Sequence, residues 1–255
     1  MNNLLKVVVV CGVFSSMAGC KNTISPVKPT AQPVVQKVKS TQPLCTDDPE
    51  ENEWNIIELV NQANAYNKSN ATTVDYKKAM CLNKKAAARD VPEAQYNIGY
   101  MYFKGHGVPV DLQQAKQWFL LAANSSKKLP PACFALGTMY FDGNGVTKDY
   151  AQAIAWFEKA GTYSARNYPD TSANAFLLLG QMYYHGIGVP KDNKTAFAYF
   201  WFSSQMGNQE AKQDLSILTK KMSKAQVKDA MNVTNKLNKT YGEFLGDPFS
   251  TEQGQ

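Results

Sequence analysis

The chain has 255 residues, 44% of them hydrophobic and 19% charged, which provides for a sizeable buried core and excludes a disordered chain. The net charge of +6 is a modest excess, and Lys and Arg form no dense run, so nucleic-acid binding is not expected. There are only two histidines, His106 and His185, with no HExxH and no CxxC, so neither a metal site nor a bound cofactor is expected.

Residues 1–19 contain one lysine, Lys6, then an apolar run over 7–14, then small residues. That run is too short to span a bilayer and has the pattern of an export signal. Met17-Ala18-Gly19-Cys20 resembles a bacterial lipobox. The resemblance implies cleavage before Cys20, a diacylglycerol on its sulfur, and a further acyl chain such as palmitate on the new amino group. Together these chains give stable anchoring. Lys21, not aspartate, follows, which implies an outer-membrane lipoprotein facing the periplasm of the cell envelope. The alternative is an ordinary signal and a secreted or surface-exposed protein.

Residues 20–48 read as a proline-rich tether, its lysines either keeping it solvated or touching anionic headgroups. Cys45, Cys81 and Cys133 remain besides the anchor. In an oxidising compartment two of them can pair, and the odd count leaves one free or bonded between molecules. Cys81 and Cys133 fall on expected helices, where each also fits as a small buried apolar side chain.

From there the chain repeats itself. MYFKGHGVPVD at 101–111 returns as MYFDGNGVTKD at 139–149 and as MYYHGIGVPKD at 182–192. Ala94, Ile98, Gly99, Tyr102, Gly105, Gly107, Val108, Asp111, Ala115, Trp118 and Phe119 recur 38 residues on, and again after a further 43. A weaker copy lies 36 residues earlier, with Asp75, Ala79, Leu82, Ala86 and Ala87. Ala94, Ile98, Met101 and Tyr102 line one helix, and Ala115, Trp118, Phe119 and Ala122 line a second. The turn between them rests on Gly105 and Gly107, Gly143 and Gly145, and Gly186 and Gly188, where glycine reaches positive φ. The following aspartate is expected to cap the second helix. A phosphate-binding loop would follow a strand and occur once; this turn follows helices and varies at its middle residue, so it is read as structural.

These residues, A-x₃-[IL]-G-x-M-Y-x₂-G-x-G-V-x₂-D-x₃-A-x₂-[WY]-F, resemble the Sel-one-like repeat family, relatives of tetratricopeptide repeats. The resemblance implies an all-α fold, a right-handed α-solenoid of antiparallel helical hairpins over residues 49–242. A degenerate repeat at 52–90 precedes clear repeats at 91–127, 129–162 and 172–207. Capping helices at 208–240, started by the capping-box signature Ser223-Lys-Ala-Gln226, close the stack, and 243–255 is a polar tail. The second repeat ends in a longer connector, TYSARNYPDTS.

In such a stack the first helices line a groove. Carried over by position, the groove residues are Tyr96, Tyr100 and Phe103, then Phe134, Thr138 and Phe141, then Leu177, Gln181 and Tyr184. Six of the nine are aromatic, suited either to anchoring a protein or peptide partner or to packing between hairpins. Lys104, Asp142 and His185 would form a polar rim. Ser125-Ser-Lys-Lys128 fits S-x-x-K and Ser172-Ala-Asn174 part of S-D-N, and some relatives have been linked to penicillin binding. The serine lies in a connector, however, and no K-T-G follows, so no catalytic residue is assigned. The expected function is a non-catalytic envelope scaffold; the alternatives are a cell-wall or penicillin-interacting protein and a secreted host-interacting factor.

Overall fold

The computed structural model describes residues 60–61, 63–64, 73–163 and 167–241, all in one unit spanning 40–255. The expected signal peptide, Cys20, the tether with Cys45, the tail and part of the degenerate repeat lie outside the described residues. The described residues form nine α-helices and no strand: α1 (Thr73–Ala87), α2 (Pro92–Lys104), α3 (Leu112–Ala123), α4 (Pro130–Asp142), α5 (Tyr150–Thr162), α6 (Pro169–His185), α7 (Asn193–Gln205), α8 (Gln209–Lys220) and α9 (Lys224–Thr240). Each helix packs on the next from α1 to α8, and α9 packs on α7, so the hairpins α2–α3, α4–α5 and α6–α7 form an α-solenoid.

The same local chemistry builds all three hairpins. Pro92, Pro130 and Pro169 open the first helices, where a missing N–H costs nothing. Pro169 starts α6 inside the stretch read as connector, which shortens that connector. The first glycine of each turn ends the helix in the left-handed region, with φ of 74°, 80° and 76° at Gly105, Gly143 and Gly186. Asp111, Asp149 and Asp192 then cap the second helices; Asp111 accepts from Gln113 N at 3.0 Å and Gln114 N at 2.9 Å, for example.

The second glycine has a further reason. A Cβ on Gly107 would lie 2.7 Å from Tyr76 Cβ, and one on Gly145 or Gly188 would run into Leu112 or Tyr150. Each turn therefore docks on the first turn of the preceding unit's second helix. Within a hairpin, Gly99, Gly137 and Gly180 lie beneath the rings of Phe119, Phe157 and Phe200, where an added Cβ would be 2.5–2.7 Å from ring carbons. All three phenylalanines are fully buried.

At the carboxyl end, Ser223 and Gln226 make both bonds of the capping box, at 3.2 and 2.8 Å. Beyond α9, Tyr241 reaches back into the array. Tyr199 donates to Glu158 Oε1 at 2.9 Å and is 2.8 Å from the Tyr241 hydroxyl, which therefore donates to it. Burial raises the Glu158 carboxyl above its ordinary range, an effect partly offset by hydrogen bonds from Tyr199 and Tyr241. Rings of Phe176 and Phe202 surround the pair, with centroids 6.3 Å from that of Tyr241. Cys81 is disulfide-bonded. Cys133 is free and buried, its thiol pushed up to about 12 chiefly by desolvation.

Candidate functional site

The nine expected groove positions fall on α2, α4 and α6, but they do not act alike. Positions 96 and 103, seven residues apart, share a flank that leans on the buried phenylalanine of their own hairpin. Tyr96 and Phe103 have ring centroids 5.5 and 6.4 Å from Phe119. Phe134 and Phe141 repeat this on Phe157 at 5.6 and 6.5 Å, and Tyr184 lies 6.4 Å from Phe200. Leu177 is buried in a cluster with Phe200, Ala211 and Leu218. These six side chains hold the hairpins together as well as edging the face.

The middle positions Tyr100, Thr138 and Gln181 are half-buried, and Gln181 reaches the boundary with the next unit. Gln181 shows what that boundary does: its amide donates to Glu210 at 3.0 Å and Asp214 at 3.5 Å on α8. Beside it, Lys221 Nζ donates to the Tyr184 hydroxyl at 2.8 Å. Thr138 returns its hydroxyl to Ala135 O of its own helix at 2.8 Å.

Among the described residues Tyr100 has no such polar tie to the next unit. In register, the α4 residues that correspond to Glu210 and Asp214 are Pro131 and Ala135, which offer a phenol no side-chain acceptor. The neighbours of Tyr100 are instead Tyr96 at 6.3 Å, His106 at 5.9 Å edge-on, and Lys104 Nζ at 5.9 Å from the ring. His106 stacks on Tyr76 at 4.4 Å, its Nδ1 buried without a partner. Burial, with a smaller contribution from Lys104, holds its imidazole below the usual range, so it is neutral near pH 7. The first repeat thus presents a phenol beside a lysine, with an uncharged aromatic floor.

Lys104, Asp142 and His185, expected at the rim, are exposed. Asn97, Ala135 and Leu178, one residue after three of the expected positions and not among them, are half-buried on the same helices. Asn97 donates to Asn64 at 3.0 Å and Asn83 at 3.1 Å, toward the preceding unit. The signal was available: four-residue spacing from 93 through 97 to 101 marks a different stripe from 96, 100 and 103.

The S-x-x-K match does not assemble. Ser125 lies in the turn after α3, accepting Lys128 N through its backbone carbonyl at 3.0 Å, and Lys128 has φ of 48° with its ammonium 4.7 Å over the Tyr163 ring. Ser172 is buried and donates to Ala160 O at 3.1 Å, while Asn174 accepts from Asn208 at 3.1 Å. No group of three or more metal-ligating side chains comes together among the described residues. Nor is any described helix long and apolar enough to cross a membrane.

Comparison with known proteins agrees with this architecture. A Sel1 repeat protein from Oxalobacter formigenes, known from its crystal structure, is 29% identical, with a TM-score of 0.53 over 64% of this chain and 60% of that one. This chain therefore spans less than two thirds of that relative's length. The structure of c5321, a protective antigen present in uropathogenic Escherichia coli strains and displaying an SLR fold, is 25% identical over 77% of this chain and 47% of that one, with a TM-score of 0.37. No curated protein matches the chain. The Sel1 repeat, a fold generally used as a protein-interaction scaffold, matches the chain at residues 92–126, 130–162 and 175–208, the three hairpins derived above from glycine, aspartate and phenylalanine positions.

Proposed function

We propose that this chain is a non-catalytic envelope adaptor that holds an extended segment of a partner protein on the first-helix face of its first two repeats. The observation that supports this most is the contrast at one register position. Gln181 is tied to α8 by two carboxylates, whereas the residues in register with those carboxylates one unit on from Tyr100 are Pro131 and Ala135, and Lys104 lies over its ring. A half-buried phenol with no charged residue in register accepts an apolar side chain, and its hydroxyl remains able to bond a peptide backbone. The unassembled S-x-x-K residues favour an adaptor over a penicillin-acting enzyme.

A photo-cross-linking residue at position 135 in the native envelope, followed by mass spectrometry, identifies the partner. Tyr100→Ala in that background, with fold retained by circular dichroism, is expected to reduce cross-linking about tenfold, the scale of one interface anchor. Unchanged yield would remove the face from the binding surface. Nitrocefin turnover lost in Ser125→Ala would instead favour the enzymatic alternative.

Anchoring through Cys20 belongs to the same reading. The lipobox supports it, and a disulfide at Cys81 suits an exported protein. Incorporation of labelled palmitate that disappears in Cys20→Ala is the expected result. A mature protein recovered without lipid would place it among secreted proteins.

A further inference from the structure

Tyr100 is surrounded by hydrogen-bond donors. Lys104 Nζ lies 5.9 Å from its ring centroid and 5.4 Å from that of Phe103. His106 meets the Tyr100 ring edge-on at 5.9 Å and stacks on Tyr76 at 4.4 Å. A phenol, an ammonium and an imidazole thus gather around one aromatic surface. The ammonium and the phenol both donate, and a neutral imidazole donates from one nitrogen. Among the described residues, no carboxylate is hydrogen-bonded to or ion-paired with Tyr100, Lys104 or His106.

The other repeats complete this arrangement from within the chain. Gln181, in register with Tyr100, donates to the carboxylates of Glu210 at 3.0 Å and Asp214 at 3.5 Å. Thr138, at the same place in the second repeat, spends its hydroxyl on Ala135 O. The rim charge of that repeat, Asp142, has Lys148 for a counter-charge, which lowers its carboxyl against the larger, raising effect of burial. The first repeat has the donors and a rim cation without the acceptor.

We propose that the partner segment held on this face carries an acidic side chain, whose carboxylate is received by Lys104, Tyr100 and His106 as the carboxylates of α8 are received by Gln181. The proposal rests on the reading of the first-helix face as a binding surface and adds the chemistry of its occupant: an aspartate or glutamate with apolar neighbours. The ammonium serves one carboxylate oxygen, and the phenol or the imidazole N–H serves the other. Hydrogen bonds to an ionised acceptor are shorter and stronger than neutral ones. The rings of Tyr100 and Phe103 hold the ammonium by cation–π attraction and shield one side of the site from water. The apolar neighbours meet Tyr96, 6.3 Å from Tyr100, and Phe103. A basic segment is rejected by the same residues, since Lys104 would face a like charge.

The chain has only two histidines, so the ring C–H signals of His106 and His185 report separately on the first and third repeats in nuclear magnetic resonance of the native protein. The probes are two blocked peptides, acetyl-Ala-Leu-Glu-Leu-Ala-amide and its Gln counterpart, which differ by one charge. The Glu peptide is expected to move the His106 signal and leave that of His185 in place. It should bind about fivefold more tightly than the Gln peptide, the scale of one exposed charge pair. That preference should vanish in Lys104→Gln, a change at an exposed position. Equal affinities, or a preference retained in Lys104→Gln, would overturn the carboxylate assignment and leave the face a binding surface. A His106 signal that neither peptide moves at millimolar concentration would also overturn it. Cross-linking from position 135 in Tyr100→Ala judges the surface by itself, so the two readings can fail separately.

Discussion

The first and third repeats have the same skeleton and opposite surfaces. Both set a buried phenylalanine, Phe119 or Phe200, under a helix glycine, both end the first helix in a left-handed glycine, and both cap the second helix with aspartate. Yet the face of the third repeat is taken by its own chain through Gln181, Tyr184, α8 and Lys221, while the first leaves Tyr100 beside an aromatic floor. A repeat motif therefore specifies how a hairpin is built. What the hairpin binds depends on which residue the next unit brings to the boundary.

The largest expected effects test the shared skeleton. Phe119→Ala and Phe200→Ala should each destabilise the array by about 3–5 kcal/mol in chemical denaturation, the usual cost of emptying a core aromatic site. Similar losses at both ends would confirm that the two repeats differ only at the surface. A small loss at Phe119 would mean that the first hairpin is held chiefly by something else.

The next test concerns the tie that holds the carboxyl end. Because burial raises the Glu158 carboxyl, the folded state holds its proton more tightly than the unfolded state. The sign follows: stability is highest below the ordinary carboxylate range, falls as pH rises through that range to the raised folded value, and is level above it. Glu158→Gln still accepts from Tyr199 without a buried charge. It should remove this decline and change stability near pH 7 by no more than about 1 kcal/mol. Melting curves from about pH 4 to about pH 7 read the slope. A variant with the parent's slope would assign the pH dependence to other groups.

Smaller again is the difference at the face itself. Tyr184→Phe removes the hydroxyl that accepts from Lys221 and should cost about 0.5–1 kcal/mol. Tyr100→Phe should leave stability within about 0.5 kcal/mol while weakening partner cross-linking if the phenol bonds the bound segment. Equal stability losses at the two positions would erase the distinction between an occupied and an open face.

Much of this was legible in the chain because it is local. Turn glycines must adopt positive φ, the aspartate four residues later has only the next helix's amides to cap, and Ser223 and Gln226 are three apart as the reciprocal bonds require. The candidate face was legible only in part. Spacing puts Tyr96, Tyr100 and Phe103 on neighbouring stripes of α2, but does not say that the flanking pair turns onto Phe119 while the middle residue meets His106. Nor could it show that Glu210, 29 residues away, occupies Gln181, or that Tyr241 closes on Glu158 and Tyr199.

The sequence by itself determined the repeat length, the helix ends and the buried stripe of each hairpin, since these depend on φ preferences, capping and helical periodicity within some forty residues. Only the tertiary structure decided what each face meets among the described residues, because a half-buried side chain is core or surface according to what the adjacent hairpin sets against it.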